Sequence, residues 1–290
     1  MPHQYNIALF GASGFIGSNL TQYFKRQKRC RLIGISRSEA DLTKPESTTA
    51  VVKKLKDLSK LIIIFTATAN HPSLTPNGIM LANIAMAVNL AKLISGLKCR
   101  QVIYLSSVDV YGRKNLKLPI SEENRIKPES PYAASKFISE LIITAECSRQ
   151  NIPAVILRLP GVYGSGDNSN RIIPSVIGSL RTGAVLKIKG DGKQQRDLLY
   201  AGDIARLADR IIRHPLSGTF NAVTGKMYSI NEIIRMTENI AGKKLQRKYQ
   251  RARNSQSDLY FGPSLILRHL RGFSFTPLLE GLRLTLNEHP

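Results

Sequence analysis

The chain has 290 residues, 42 of them Lys or Arg against 20 Asp or Glu, for a net charge of +22. A chain of this length buries a sizeable core unaided, and its cysteines (Cys30, Cys99 and Cys147) are odd in number, far apart and never spaced C-x-x-C, which speaks against a disulfide framework or zinc site and for a reducing, cytoplasmic compartment. The positive surface favours anionic partners, but its cations are scattered from Lys25 to Arg283 and Trp is absent, so nucleic acid is disfavoured as the main partner.

The amino terminus, MPHQYNIALFGASG, passes from a short apolar run straight into glycines, without the basic and long apolar regions of a signal peptide. Strands are expected over 5–10, 31–36, 61–66, 101–106 and 154–159, separated by helices near 16–27, 48–58, 78–97 and 131–149. This alternation predicts βαβ units, hence an α/β doubly wound parallel sheet with helices on both faces. The most apolar stretch, LIIIFTATA over 61–69, falls far short of the roughly 20 residues that span a bilayer and suits a buried parallel strand, so no membrane insertion is expected. Beyond Arg158, glycines, prolines and short basic segments over 160–193 break the rhythm before helices near 203–214 and 230–242. A second, smaller lobe is expected there.

The first strand ends in Gly11-Ala12-Ser13-Gly14-Phe15-Ile16-Gly17, a G-x-x-G-x-x-G turn opening a helix. Glycines let backbone approach a pyrophosphate, whose charge then sits on the free N–H groups of the helix N-terminus. The pattern is weak alone and gains weight from its place after the first strand. The second strand ends at Ser36-Arg37, a hydroxyl and a cation where an acid would select NAD, so NADP is favoured over NAD.

Tyr132 and Lys136 stand four apart in Ser130-Pro131-Tyr132-Ala133-Ala134-Ser135-Lys136, with Pro131 suited to a first helical turn. Spacing of i,i+4 puts both on one helix face, where an ammonium would lower the phenol pKa and let the pair exchange a proton with an alcohol oxygen. The bland alternative is an exposed tyrosine beside a solvated lysine. Ser106 and Ser107 end the fourth strand, and if the first and fourth strands flank the topological switch point, these serines share a crevice with the glycine turn.

With GASGFIG, Asp41-Leu42, Asn83, SSVDVYG (106–112), PYAASK (131–136), LRLPGVYGSG (157–166), GDGKQQRDLLYAGDIA (190–205) and SGTFNAVTG in order, the chain resembles the extended short-chain dehydrogenase/reductase family, in its nucleotide-sugar epimerase/dehydratase branch. The resemblance implies a Rossmann-like NAD(P)-binding domain over 1–165, to which 198–224 contributes, and a smaller C-terminal α+β substrate lobe over 166–290 with a closing helix near 277–286. It implies that Ser107 bonds the reacting hydroxyl, Tyr132 is the acid/base, and Lys136 holds the nicotinamide ribose and tunes Tyr132. The cofactor would further be held by Gly11, Ser13, Gly14, Phe15, Ile16, Gly17, Arg37, Asp41, Leu42, Thr66, Ala67 and Asn83. The nucleoside-diphosphate sugar would meet Ser107, Asp109, Arg196 and Arg253, with Arg251 the alternative to Arg253. Asp203 would cap the helix after Tyr200, and the apolar pattern of 79–97 serves either a homodimer face or the core.

Two departures matter. Dehydratases of this branch carry an acid pair where this chain has Val108-Asp109, so elimination is disfavoured. Gly161 stands where an asparagine often meets the substrate pyrophosphate. A 4-epimerase is expected first, a 4-keto-sugar reductase using NADPH second, and a non-catalytic dinucleotide- or RNA-binding module third, since the Ser107-Tyr132-Lys136 set is kept. His3, His71, His214, His269 and His289 have no metal-ligand spacing, and no metal is expected.

Overall fold

The computed structural model describes residues 4–69, 73–114, 116–251 and 258–287. Its first half alternates as the sequence predicts: β1 (Tyr5–Phe10), α1 (Phe15–Lys25), β2 (Cys30–Ile35), α2 (Glu46–Leu55), β3 (Leu61–Phe65), α3 (Pro76–Ser95), β4 (Cys99–Ser107), α4 (Pro131–Arg149) and β5 (Ala154–Leu159). The second half holds β6 (Gly161–Tyr163), α5 (Ile172–Thr182), β7 (Leu186–Lys189), β8 (Gln195–Arg196), β9 (Leu198–Tyr200), α6 (Ala201–Arg213), β10 (Gly218–Asn221), β11 (Tyr228–Ser229), α7 (Ile230–Ala241), β12 (Arg247–Gln250), α8 (Leu265–His269) and α9 (Leu278–Asn287).

Six strands form one parallel sheet in the order β2-β1-β3-β4-β5-β10. β3 is central and reads LIIIF with every residue buried, the continuous apolar run that a strand covered on both faces requires. Alternate side chains feed two cores. Ile7, Leu9, Ile62, Ile64 and Leu157 pack with Leu20 of α1 and Ile204, Leu207 and Ile211 of α6. Ala8, Phe10, Ile63, Phe65 and Tyr104 pack on Val51 and Leu55 of α2, Leu90 and Leu93 of α3, and Ile143 of α4. The result is a three-layer, Rossmann-like sandwich.

The chain winds outward from β1 to β2 and then crosses to β3 on the other side of β1, so the switch point lies between β1 and β3. The expectation that the fourth strand borders it is corrected here. β3 intervenes, and strands spaced ~4.8 Å apart set the Ser107 end of β4 roughly 10 Å from the glycine turn, a span that one extended ligand bridges. α3 is long and apolar enough by composition to cross a bilayer, but its Leu90, Leu93 and Ile94 are spent on the sheet.

The second lobe packs α5, α7 and α9 around Tyr163, Ile173, Ile177, Ile233, Leu278 and Leu282. A parallel ribbon, β7 with β12, lies against α5 and α7 through Leu186 and Ile188. α5 falls inside the stretch read as irregular. Pro174 and Gly178 made it look broken, yet Pro174 lies in the first turn of α5, where a missing N–H costs nothing. Between the lobe's segments the chain returns to the first domain: β9 pairs with β6, α6 packs on α1, and β10 becomes the sheet's edge.

Asp203 is not the N-cap of α6, a position held by Tyr200 without a side-chain capping bond. Its fully buried carboxylate accepts from Thr276 N (2.7 Å) and Oγ1 (2.8 Å) and from Arg206 (2.6 Å). It therefore ties α6 to the approach of α9.

Candidate active site

Gly11 takes φ +81° at the end of β1, and a Cβ there would meet Thr66 Oγ1 at 2.7 Å. A Cβ on Gly17 would sit 1.9 Å from the Gly11 carbonyl oxygen. Both positions thus demand the bare backbone that lets β1 turn tightly into α1. Gly14 is the N-cap of α1 and brings no side-chain acceptor, and the first turn holds no acid. The leading N–H groups, which a helix cannot satisfy itself, remain available to an anion. These residues fit a dinucleotide pyrophosphate.

The turn opens on a cleft of about 1820 Å³ between the sheet's carboxyl edge and the second lobe. Gly11, Ser13, Gly14, Phe15, Ile16, Gly17, Arg37, Asp41, Leu42, Thr66 and Ala67 line it, together with Ser107, Asp109, Tyr132, Arg196 and Arg251. Arg253 lies outside the described residues. Arg37 is 79% exposed and only loosely paired with Asp41, at 3.7 Å. Beside it, Ser36 gives both its N–H (2.8 Å) and its hydroxyl (3.0 Å) to Glu39, an acid that the sequence reading passed over.

Asn83 does not line the cleft. It sits inside α3, where its side-chain oxygen accepts from Ala69 N (2.8 Å) and Thr68 Oγ1 (3.3 Å) and its nitrogen donates to Ala69 O (3.3 Å) and Ser135 Oγ (3.2 Å). The amide clamps the segment after β3 onto α4 and has no group left for a cofactor.

Ser130 caps α4 by accepting from Ala133 N, and Pro131 follows at the first helical position. This start fixes Tyr132 on the cleft wall that Ser107 also lines, and the Ser107 hydroxyl favours the ionised phenol. Burial pushes the Tyr132 pKa up to about 12; Asp109 adds to the rise, while Arg171 and Ser107 oppose it. The expected lowering by Lys136 is therefore not what the geometry produces. Lys136 lies beneath the wall, 4% exposed, donating to the Leu105 carbonyl (2.8 Å) and the Tyr104 hydroxyl (3.3 Å) over the Tyr104 ring. A shared helix face did not bring the ammonium onto the phenol, because its long stem carries it inward to the Leu105 carbonyl near the end of β4.

Burial lowers the Lys136 pKa to about 8, with Glu140 acting the other way. Glu140, one turn further along α4, is bound by Arg158 of β5 through Nη2–Oε2 (2.7 Å) and Nε–Oε1 (3.1 Å) and accepts from Ser106. Arg158 continues to the Tyr111 hydroxyl (2.8 Å), which donates to Asn221 Oδ1 (2.8 Å) of β10. A buried polar chain thus runs beneath the cleft through α4, β5 and β10. Sequence offered two signals for it: an acid four residues after Lys136 on a buried helix face, and an arginine inside the apolar strand AVILRL.

Around Tyr132 the structure adds two arginines absent from the sequence reading. Arg171, the N-cap residue of α5, pairs with Asp167 (2.9 Å), and Arg113 pairs with Asp109 (3.2 Å). Arg196 is bound to Asp258 at 3.2 Å, and its pKa is lowered by burial and by the nearby Arg113. Val108 is buried among Val110, Tyr111 and Phe261, and Gly161 lines the cleft without a side chain.

Residues 7–224 match the model of the NAD dependent epimerase/dehydratase family. The chain is 27% identical over 267 residues to an uncharacterized UDP-glucose epimerase, YtcB, of Bacillus subtilis, covering 82% of this chain and 83% of that one. It is also 27% identical over 247 residues to GDP-6-deoxy-D-talose 4-dehydrogenase of Aggregatibacter actinomycetemcomitans, covering 83% and 82%. Among solved structures, UDP-glucose 4-epimerase of Thermotoga maritima with UDP-glucose superposes with a TM-score of 0.85 at 20% identity, over 98% of both chains. RMD from Pseudomonas aeruginosa complexed with NADPH gives 0.85 at 23% identity, again over 98% of both.

Proposed function

Because the chain belongs to the NAD dependent epimerase/dehydratase family, we propose that it is a nucleotide-sugar 4-epimerase using NAD(P), with Ser107, Tyr132 and Lys136 as its catalytic set. The observation that carries this reading is that Ser107 and Tyr132 stand on the wall of the cleft that the glycine turn also lines. In this reading residues 1–165 with 198–224 hold the dinucleotide and 166–290 form the substrate lobe. When bound, NAD(P) accepts hydride from the sugar carbinol carbon and returns it.

Tyr132 takes the proton of the 4-hydroxyl while Ser107 holds that oxygen, and gives it back once the keto sugar has presented its other face. Arg171 of α5 supplies the positive charge that favours the ionised phenol, and Lys136 lies one turn further along α4, held on Leu105 O. Val108 offers no carboxylate for elimination, and Asp109 alone is engaged with Arg113. A homodimer through α3 and α4 belongs to the same reading, since Leu81 and Leu141 are 63% and 55% exposed on those helices.

One observation favours a second reading, a 4-keto-sugar reductase. A phenol held near 12 is protonated at rest, which suits an acid that donates to a carbonyl. Incubation with UDP- and GDP-sugars, with and without NAD(P)H, separates the two. Interconversion of 4-epimers without net change in the reduced-nicotinamide band supports the epimerase, whereas stoichiometric NAD(P)H oxidation without epimers establishes the reductase.

For the cofactor we propose a preference for NADP, supported by the exposure of Arg37 at the end of β2 and opposed by Glu39. Arg37→Ala is expected to lower NADP(H) affinity about tenfold, the loss of one charge-assisted contact, while NAD(H) affinity holds. Equal losses for both would end the preference.

A further inference from the structure

All six strands of the large sheet run parallel, so their amino ends, and the carboxyl ends of the helices that precede them, meet along the edge opposite the cleft. Cations that are scattered in sequence gather there. The end of α1 and its turn into β2 read KRQKRCR over 25–31, the end of α2 and its turn into β3 read KKLKDLSK over 53–60, the start of β4 brings Lys98 and Arg100, and α6 ends on Arg210 and Arg213. Lys25, Arg26, Lys53, Lys54, Lys56 and Lys60 are all exposed. The acids of the same edge are few: Asp57 is exposed, Glu146 is bound by Arg149 (2.8 Å), and Asp209 is buried between Arg29 (2.6 Å) and Arg213 (3.3 Å). Six strands spaced ~4.8 Å apart make the edge roughly 24 Å long, with a helix layer on each side, so the cations cover a broad face.

At one corner this face is recessed. Arg206, Arg210 and Arg213 of α6 line a cavity of about 220 Å³ with Tyr23 and Phe273. Arg206 is spent on Asp203 and the Ser274 carbonyl, and Arg213 on Asp209. Arg210 donates to the Arg271 carbonyl (2.8 Å), but it meets no acid among the described residues, and its buried Nε finds no acceptor among them. A buried guanidinium N–H left unbonded is costly, and an anion in the recess would relieve it.

We infer that the amino edge of the sheet docks the protein on an anionic lipid surface, with the Arg210 recess taking a headgroup phosphate, while the cleft on the opposite edge stays open to solution. Each cation brought to such a surface strengthens binding about fivefold, and the attraction needs no inserted segment. Nucleic acid is the weaker fit. Single strands are gripped by stacking on aromatic rings, and the rings on this edge are engaged, Tyr5 beneath Arg100 and Tyr23 through its bond to Asp209. Duplexes take a helix or ribbon lengthwise in a groove, whereas here the helices present only their carboxyl ends. The plain alternative is that the cations complement the negative ends of the helix dipoles, an effect confined to the last turn. It accounts for Lys25, Lys53 and Lys54, but not for Arg31, Lys60, Lys98 and Arg100, which lie beyond the helices.

Co-sedimentation of the full chain with vesicles of phosphatidylcholine, alone or with about one third phosphatidylglycerol, tests this. The expected result is binding to the anionic vesicles only, present at ~0.1 M salt and lost at ~0.5 M. Lys25→Gln with Arg26→Gln should weaken it by about tenfold or more, and Arg210→Gln, which removes a charge and the orphaned donor together, by about tenfold. Lys243→Gln with Lys244→Gln, an exposed pair in the second lobe, should leave it unchanged. A thermal unfolding midpoint unaltered in all three variants is the check on folding. Absence of binding to anionic vesicles, equal binding to neutral ones, or full binding by either edge variant overturns the inference. An equal loss at Lys243 and Lys244 overturns it as well, because the attraction is then one of net charge alone. Tighter binding of duplex DNA or single-stranded RNA, lost in the same edge variants, reassigns the face to nucleic acid and overturns the lipid proposal.

Discussion

Tyr132 and Lys136 share a helix face but not a hydrogen bond, and the difference decides what each can be asked to do. The phenol is neutral at rest on the cleft wall, while the ammonium is parked on Leu105 O beneath it. Tyr132→Phe keeps the ring and its packing, so dinucleotide binding should persist while turnover falls by about 10²–10⁴, the usual contribution of a positioned acid/base; unchanged turnover would exclude the phenol. The Lys136 pKa, lowered to about 8, fixes the sign of a pH effect. Below that value the lysine is charged, and raising the pH removes the charge. kcat/KM should therefore decline above about pH 8, and in Lys136→Arg the decline should move out of range because guanidinium stays protonated. A flat profile to pH 10 in the parent enzyme would contradict this. Ser107, Tyr132 and the glycines were legible because their chemistry is local: a hydroxyl at a strand end, a phenol in a first helical turn, and a strand–turn–helix. Asn83 was misread as a cofactor contact, since nothing local reveals that its amide is consumed by Ala69 and Ser135.

At the scale of elements, the five leading strands and their helices follow from periodicity, because central parallel strands must be apolar throughout and their crossovers amphipathic. α5 and the β7–β12 ribbon escaped the same reading. A helix with Pro174 and Gly178 and a four-residue strand between lysines carry too few residues for a period to show. Sheet order was misjudged by one place, as sequence does not state which strand follows the crossover beside β1. The Glu140–Arg158 pair, 5% and 6% exposed in its side chains, staples α4 to β5 directly behind Lys136. Removing one partner leaves a buried charge alone, so Glu140→Gln or Arg158→Met should cost about 3–5 kcal/mol in urea unfolding. The double replacement should cost less than the sum of the two. Additive losses would mean that the two residues do not act as a pair.

For the whole molecule, a charge of +22 surrounds a cleft whose lining includes Lys187, Lys189, Arg196 and Arg251. Anionic substrates should be drawn in over distances comparable to the Debye length, ~10 Å at 0.1 M salt. Raising salt from 0.05 to 0.5 M should accordingly lower kcat/KM for a nucleotide sugar while kcat holds, and a salt-independent kcat/KM would assign the charge to something other than steering. The sheet itself closes late along the chain. β10, its edge strand, and α6, which covers one face, are read out only after α5 and the first strand of the ribbon. On the ribosome, where residues appear at ~5–20 per second, β5 therefore waits several seconds without its neighbour, and the apolar face meant for Ile204, Leu207 and Ile211 stays uncovered. Synthesis of this enzyme passes through an interval in which the dinucleotide turn is already made while the sheet behind it is still open, a window in which a bound dinucleotide or a chaperone would matter more than at any later moment.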